Sequence, residues 1–177
     1  YMPQALAEAK KEGKTLAVGM LDLDDFKSVN DRFGHEAGDV LLKNFAQRLS
    51  VSLNSTDYAV RIGGDEFVVI LGNLDSLLSF SQIASILDSL HVAVETPFDV
   101  GHDAQAVVGM TLGLALYPVD GEDLDTLLRR ADAAMYQGKQ NKSQRQSWWA
   151  LAGHRETQHE EEFQQVSFDA YGPDAQN

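Results

Sequence analysis

The sequence predicts an α+β domain whose central sheet is mainly antiparallel and flanked by helices, and three observations carry that expectation. Two β-rich runs, "YAVRI" and "FVVIL", flank "GGDE" at residues 63–66. This is a strong hairpin signal, because the favoured two-residue turns need positive φ and glycine supplies it without a Cβ clash. Leu16 to Leu21 is a nearly unbroken apolar run, as in a strand buried on both faces. The elements follow the order β, α, α, β, β, α, β, α, which mixes one hairpin with helical crossovers and argues against a doubly wound sheet.

"PQALAEAKKEGK" is rich in helix formers and stops at Gly13, which predicts a short leading helix. The strand "TLAVGMLDLD" follows and ends abruptly in Asp22, Asp24 and Asp25. Phe26, Val29 and Phe33 recur at helical spacing up to Gly34, and Leu41, Leu42, Phe45 and Leu49 mark a second helix. After the hairpin, Phe80, Ile83, Leu87, Leu90 and Val94 alternate steps of three and four, a long amphipathic helix that Pro97 ends. "AVVGMTLGLALY" is the next strand. Leu124, Leu127, Leu128, Ala131 and Met135 mark the last clear helix, with Asp123 as its N-cap. Beyond Lys142 the pattern degrades, and residues 145–177 are assigned as a polar, acidic tail punctuated by Trp148, Trp149, Phe163 and Phe168. Those aromatics leave open whether the tail docks or stays disordered. His154 and His159 miss the i, i+4 spacing of a metal pair and are taken as solvated.

The chain has 177 residues, enough for one domain with a real core, and a formal net charge of −13 that disfavours nonspecific nucleic-acid binding. It has no cysteine, which excludes disulfides, thiolate metal sites and cysteine nucleophiles. No apolar run approaches the ~20 residues of a membrane span and no secretory leader opens the chain, so a cytoplasmic domain without membrane contact is expected. Asp65 and Glu66 are planted at the hairpin tip although acids are poor strand formers, which suggests charge presented to a metal or a metal–phosphate complex. Taken singly, Asp22 and Asp24 fit a helix cap and Asp65 a polar turn. Taken together with the glycine pair between strands and the spacing of Lys27, they favour a metal site.

These residues resemble the GGDEF family, the diguanylate cyclases. "GGDEF" is intact at 63–67, with Gly63 and Gly64 as the turn. The pattern Asp-x-Asp-x-Phe-Lys-x-x-Asn-Asp-x-x-Gly-His-x-x-Gly-Asp is matched by Asp22, Asp24, Phe26, Lys27, Asn30, Asp31, Gly34, His35, Gly38 and Asp39, and "ADAAMYQGK" at 131–139 is similar to a third family motif. The resemblance spans roughly residues 1–140 and implies a five-stranded, palm-like nucleotidyl cyclase fold over residues 1–144. It also implies condensation of two GTP into cyclic di-GMP with release of two pyrophosphates, each GTP held by one subunit of a homodimer. The cofactor implied is Mg²⁺, with Mn²⁺ as an alternative, held by Asp22, Leu23 and Asp65, since hard cations prefer carboxylate, carbonyl and phosphate oxygens. The resemblance makes Asp65 and Glu66 the expected catalytic pair, and whether Glu66 binds metal or helps deprotonate the attacking hydroxyl stays open.

Asp39 matches a guanine-reading position, which suits an acceptor of the guanine N1–H and exocyclic amine, and Asn30 matches the second. Lys27 and Lys139 match phosphate-contacting positions, Phe26 and His35 fall among the GTP-binding residues, and Arg61 is expected to brace the carboxylates. An inhibitory product site is implied at Asp57, but its arginine partner is replaced by Asn54, so that site is expected not to function. The family's opening Asp-x-Leu-Thr-Gly-Leu-x-Asn-Arg stretch does not precede Tyr1, and an upstream sensory domain is expected because members are typically output modules. Gly138 replaces a usual alanine, costs up to ~1 kcal/mol of helix stability and suggests a fraying end under Lys139. "KSQ" at 142–144 replaces Gly-Arg-Asn, with Lys142 one residue out of register for the lost arginine charge. Two other readings compete with cyclic di-GMP synthesis: a silent module that binds GTP or cyclic di-GMP without turnover, and a cyclase that closes one GTP on itself.

Overall fold

The computed structural model describes residues 2–76, 79–101, 103–142 and 147–153. Helix α1 (Met2–Glu12) leads into β1 (Thr15–Asp24), then α2 (Phe26–Phe33), α3 (His35–Ser52), β2 (Tyr58–Gly63) and β3 (Glu66–Leu74). There follow α4 (Ser79–Glu95), the short strands β4 (Phe98–Asp99) and β5 (Gln105–Ala106), β6 (Gly109–Tyr117), α5 (Leu124–Gln140) and β7 (Trp149–Leu151). The main sheet has five strands in the order β2-β3-β1-β6-β7, antiparallel except for the last, parallel pair, while β4 and β5 form a separate ribbon. The expected α+β class and five-stranded, mainly antiparallel sheet are therefore those observed.

β1 lies at the centre and is buried along its whole length, which is why its apolar run shows no alternation. Its side chains nevertheless alternate between two cores. Leu16, Val18 and Met20 pack with Ala9 of α1 and Leu127, Ala131 and Met135 of α5. Ala17, Leu21 and Leu23 pack with Leu41, Phe45 and Leu49 of α3 and Ile83, Leu87 and Leu90 of α4. Because successive residues of a strand point to opposite faces, Asp22 and Asp24 face α5. That helix can lie close because Gly113 of β6 has no Cβ: a methyl there would lie 2.1 Å from the Ala131 carbonyl oxygen and 2.3 Å from the Met135 nitrogen. α5 begins as expected, with the Asp123 carboxylate accepting from the Thr126 N–H at 2.8 Å.

Three expectations change. The sheet's fifth strand comes from beyond residue 144: the Leu112 N–H donates to the Trp148 carbonyl, the Ala152 N–H to the Leu114 carbonyl, and Trp148 stacks on His91. The first residues of the assigned tail thus complete the fold by docking, while Phe163, Phe168, His154 and His159 lie outside the described residues. The run "AVVGMTLGLALY" divides, Ala106 pairing with Phe98 and the long strand starting only at Gly109. The hairpin's two turn residues are Gly64 and Asp65, because Gly63 pairs with Glu66 as the last residue of β2 and only Gly64 needs positive φ, at 50°. No helix among the described residues is long and apolar enough to cross a membrane.

Candidate active site

Asp22, near the end of β1, lies between Glu66 of β3 and Thr111 of β6 in the ladder. The hairpin tip is tied to the same place, since the Leu23 N–H donates to the Asp65 carbonyl at 3.2 Å. Asp22, Leu23, Asp65 and Glu66 are thus gathered by adjacent backbone. The leucine side chain is buried on the opposite face, so its carbonyl is the only oxygen it can offer. The Arg61 Nε donates to the Gly64 carbonyl at 2.8 Å and forms no ion pair with either tip acid among the described residues. It braces the turn, not the carboxylates.

The Asp22 side chain is nearly buried, and Lys139 Nζ sits on its Oδ1 as an ion pair. No other polar group among the described residues satisfies that oxygen. Burial raises the Asp22 pKa above the usual carboxylate value; Lys139 opposes the shift, and the charges of Asp65 and Glu66 add to it. A buried, otherwise unsatisfied carboxylate oxygen beside two further carboxylates and a backbone carbonyl suits a hard divalent cation. No group of three acid or histidine side chains among the described residues is arranged to hold a metal, but the set expected here needs only two carboxylates.

Thr111 and Asp25, which shape this end of β1, were not assigned roles from sequence, and Lys142 was expected only to stand in for a lost arginine charge. Thr111 Oγ1 donates to Asp24 Oδ1 at 2.8 Å, a buried bond that gives Asp24 a structural role. Asp25 adopts a left-handed conformation, φ 60° and ψ 19°, which turns the chain from β1 into α2 in a single residue. Lys142 Nζ holds Asp25 at 2.5 Å and lies 3.8 Å from Asp24. Its charge therefore serves this loop. Gly138 lies against Thr111, and α5 continues to Gln140 with the Asn141 N–H bonded to the Gln137 carbonyl at 3.1 Å. Lys139 sits within the capped last turn instead of on a fraying end.

α2 and α3 pack side by side, and Gly38 is where they touch. A methyl on Gly38 would lie 2.0 Å from Asn30 Oδ1 and 3.2 Å from Phe26 Cζ. The missing side chain lets Asn30 and the Phe26 ring rest on α3, next to the exposed Asp39. An amide and a carboxylate are the group types whose donors and acceptors can pair with a guanine edge. Lys27 on α2 and His35, the first residue of α3, are both exposed. Asp57, by contrast, is buried: its Oδ2 accepts from the Asn54 N–H at 2.9 Å and its Oδ1 from the Gly72 N–H at 3.0 Å. It closes the turn between α3 and β2.

A family profile described as diguanylate cyclase, GGDEF domain, matches residues 1–145. The diguanylate cyclase TpbB of Pseudomonas aeruginosa is 38% identical over 138 residues, which cover 78% of this chain and 31% of that protein. The crystal structure of the TpbB GGDEF domain superposes with a TM-score of 0.77 at 36% identity, covering 86% of this chain and 91% of that one. The GGDEF domain of DgcB from Caulobacter crescentus, solved in complex with c-di-GMP, gives a TM-score of 0.70 at 27% identity, with 85% of each chain covered. Curated relatives such as these are longer, the chain spanning about a third of TpbB's length. By fold, by site residues and by these matches, the chain belongs to the diguanylate cyclase GGDEF-domain family.

Proposed function

We propose that this domain condenses two GTP molecules into cyclic di-GMP and two pyrophosphates, with one GTP on each subunit of a homodimer. The observation that carries this reading is the convergence of Asp22 with Asp65 and Glu66, the tip strapped to β1 by the Leu23 bond, with Lys139 alongside. Asp22, Asp65 and the Leu23 carbonyl would hold Mg²⁺, or Mn²⁺ in its place. A bound divalent ion stabilises the charge on the attacking and leaving oxygens of phosphoryl transfer.

The chain's own residues supply the rest. Asn30 and Asp39 select guanine, because an aspartate accepts two donors from guanine where adenine offers a lone pair. Phe26 and His35 flank that pocket. Lys27 and Lys139 offset the triphosphate charge as point charges. Glu66 faces the attacking ribose 3′-hydroxyl as base or as a further ligand. The greater length of the relatives supports a role as the output module of a larger cytoplasmic signalling protein, under an upstream sensory domain.

Product analysis after incubation with GTP and Mg²⁺ tests the reaction. Cyclic di-GMP supports it, cyclic GMP selects a cyclase acting on one GTP, and bound but unconverted GTP selects a silent binding module. In the same assay Asp65→Asn is expected to lose turnover by orders of magnitude with an unchanged circular dichroism spectrum.

A further inference from the structure

We infer that Lys139 is the resident counter-ion of Asp22 and must leave it before a divalent cation can take that carboxylate, so that metal enters with the triphosphate and not ahead of it. The inference rests on the reading of Asp22 as a metal ligand given above. Lys139 Nζ sits on Asp22 Oδ1, a buried oxygen that no other group among the described residues satisfies. Lys142, on the same segment, covers Asp25 and lies near Asp24, so two of the protein's own cations already offset much of the charge of the three acids at the end of β1. An ammonium and a divalent cation held by the same carboxylate at contact distance repel strongly in a partly buried site.

The geometry also supplies a way out. The Lys139 side chain is 34% exposed, against 10% for Asp22, so the lysine can swing toward solvent while the carboxylate stays. It sits in the last turn of α5 on a flexible stem with rotatable donors, able to pass from carboxylate to phosphate without moving the helix. A triphosphate arriving beside it attracts the ammonium and frees Asp22 for the metal. Nucleotide and metal then strengthen each other's binding by the same factor, as linkage requires.

The test is direct titration of the folded domain with Mn²⁺ alone, followed by electron paramagnetic resonance of the free ion. The proteins compared are the unmodified domain, Lys139→Met, and the double variant Lys139→Met/Asp22→Asn. Lys139→Met is expected to bind Mn²⁺ roughly tenfold more tightly than the unmodified domain, or better. Its affinity for GTP with Mg²⁺ is expected to fall, so the two effects have opposite signs. Equal or weaker Mn²⁺ binding by Lys139→Met, with further loss in the double variant, overturns the counter-ion role while leaving Asp22 as a ligand. Mn²⁺ binding that is the same in Lys139→Met and the double variant removes Asp22 as a ligand and overturns both readings.

Discussion

Replacing Gly113 with alanine is expected to damage both stability and catalysis, through one displacement. The new methyl would meet the Ala131 carbonyl oxygen at 2.1 Å and the Met135 nitrogen at 2.3 Å, whereas ordinary contact begins near 3.4 Å. Both atoms are α5 backbone, so no side chain can swing aside and the helix itself must retreat by over an ångström. Leu127, Ala131 and Met135 then lose contact with Val18, Met20 and Ala115. Overpacking of this kind costs about 1–3 kcal/mol, and the backbone clash puts Gly113→Ala at the upper end. That is a large share of the ~5–15 kcal/mol that holds a domain folded. Lys139, the phosphate contact proposed above, rides on the same helix, and a ~1 Å misplacement of a group in that role costs on the order of 100-fold in rate. Urea denaturation reads the first effect as a shift in midpoint at constant slope. Turnover of GTP at saturating substrate reads the second. A midpoint shift equivalent to less than ~0.5 kcal/mol would refute the packing argument, and full turnover in a destabilised variant would refute the positional one.

The raised pKa of Asp22 sets a pH dependence for the metal-free domain: an acid whose folded pKa lies above its ordinary 3.8 contributes stability below that value and loses it as pH rises through the folded pKa. Asp22→Asn is therefore expected to raise the melting temperature without metal at pH 7, the gain closing as pH falls toward 3.8; a lowered melting temperature at pH 7 contradicts it. Gly38→Ala should push Asn30 off its seat and cost about one hydrogen bond to guanine, roughly a five- to tenfold rise in KM for GTP, and an unchanged KM would show that Asn30 does not read the base. Added cyclic di-GMP should inhibit the unmodified domain only by weak competition, because Asn54 is neutral and both Asp57 oxygens already accept backbone N–H groups, from Asn54 and from Gly72 of β3. Asn54→Arg restores a charged donor worth ~1.5–3 kcal/mol and is expected to install stronger, non-competitive inhibition. Initial rates against cyclic di-GMP decide this, and strong non-competitive inhibition that the substitution leaves unchanged would place the inhibitory site elsewhere.

Much of this domain was legible in the linear sequence, because its signals are local. The periodicity of Leu41, Leu42, Phe45 and Leu49, the apolar run of β1, the glycine pair of the hairpin and the Asp123 cap each act over a few residues and specify an element wherever it is placed. The acids of the site were visible for a related reason: charge at the end of a buried strand and at a hairpin tip conflicts with the local pattern.

What the tertiary structure decided lies in pairings between distant segments. Nothing near Lys139 announces that it meets Asp22; that follows from β1's parity, from the β1-β6 neighbourhood and from the close approach of α5 over Gly113. The bond from Thr111 to Asp24, the seat of Asn30 on Gly38 and the closure of the Asp57 turn by Gly72 have the same origin. β7 escaped notice because a three-residue strand is too short to show a period, and its stability comes from the β6 edge that it covers. Local pattern determines which elements form and which residues carry charge, whereas the crossing of helix and sheet determines which charges meet, and here that meeting makes the site.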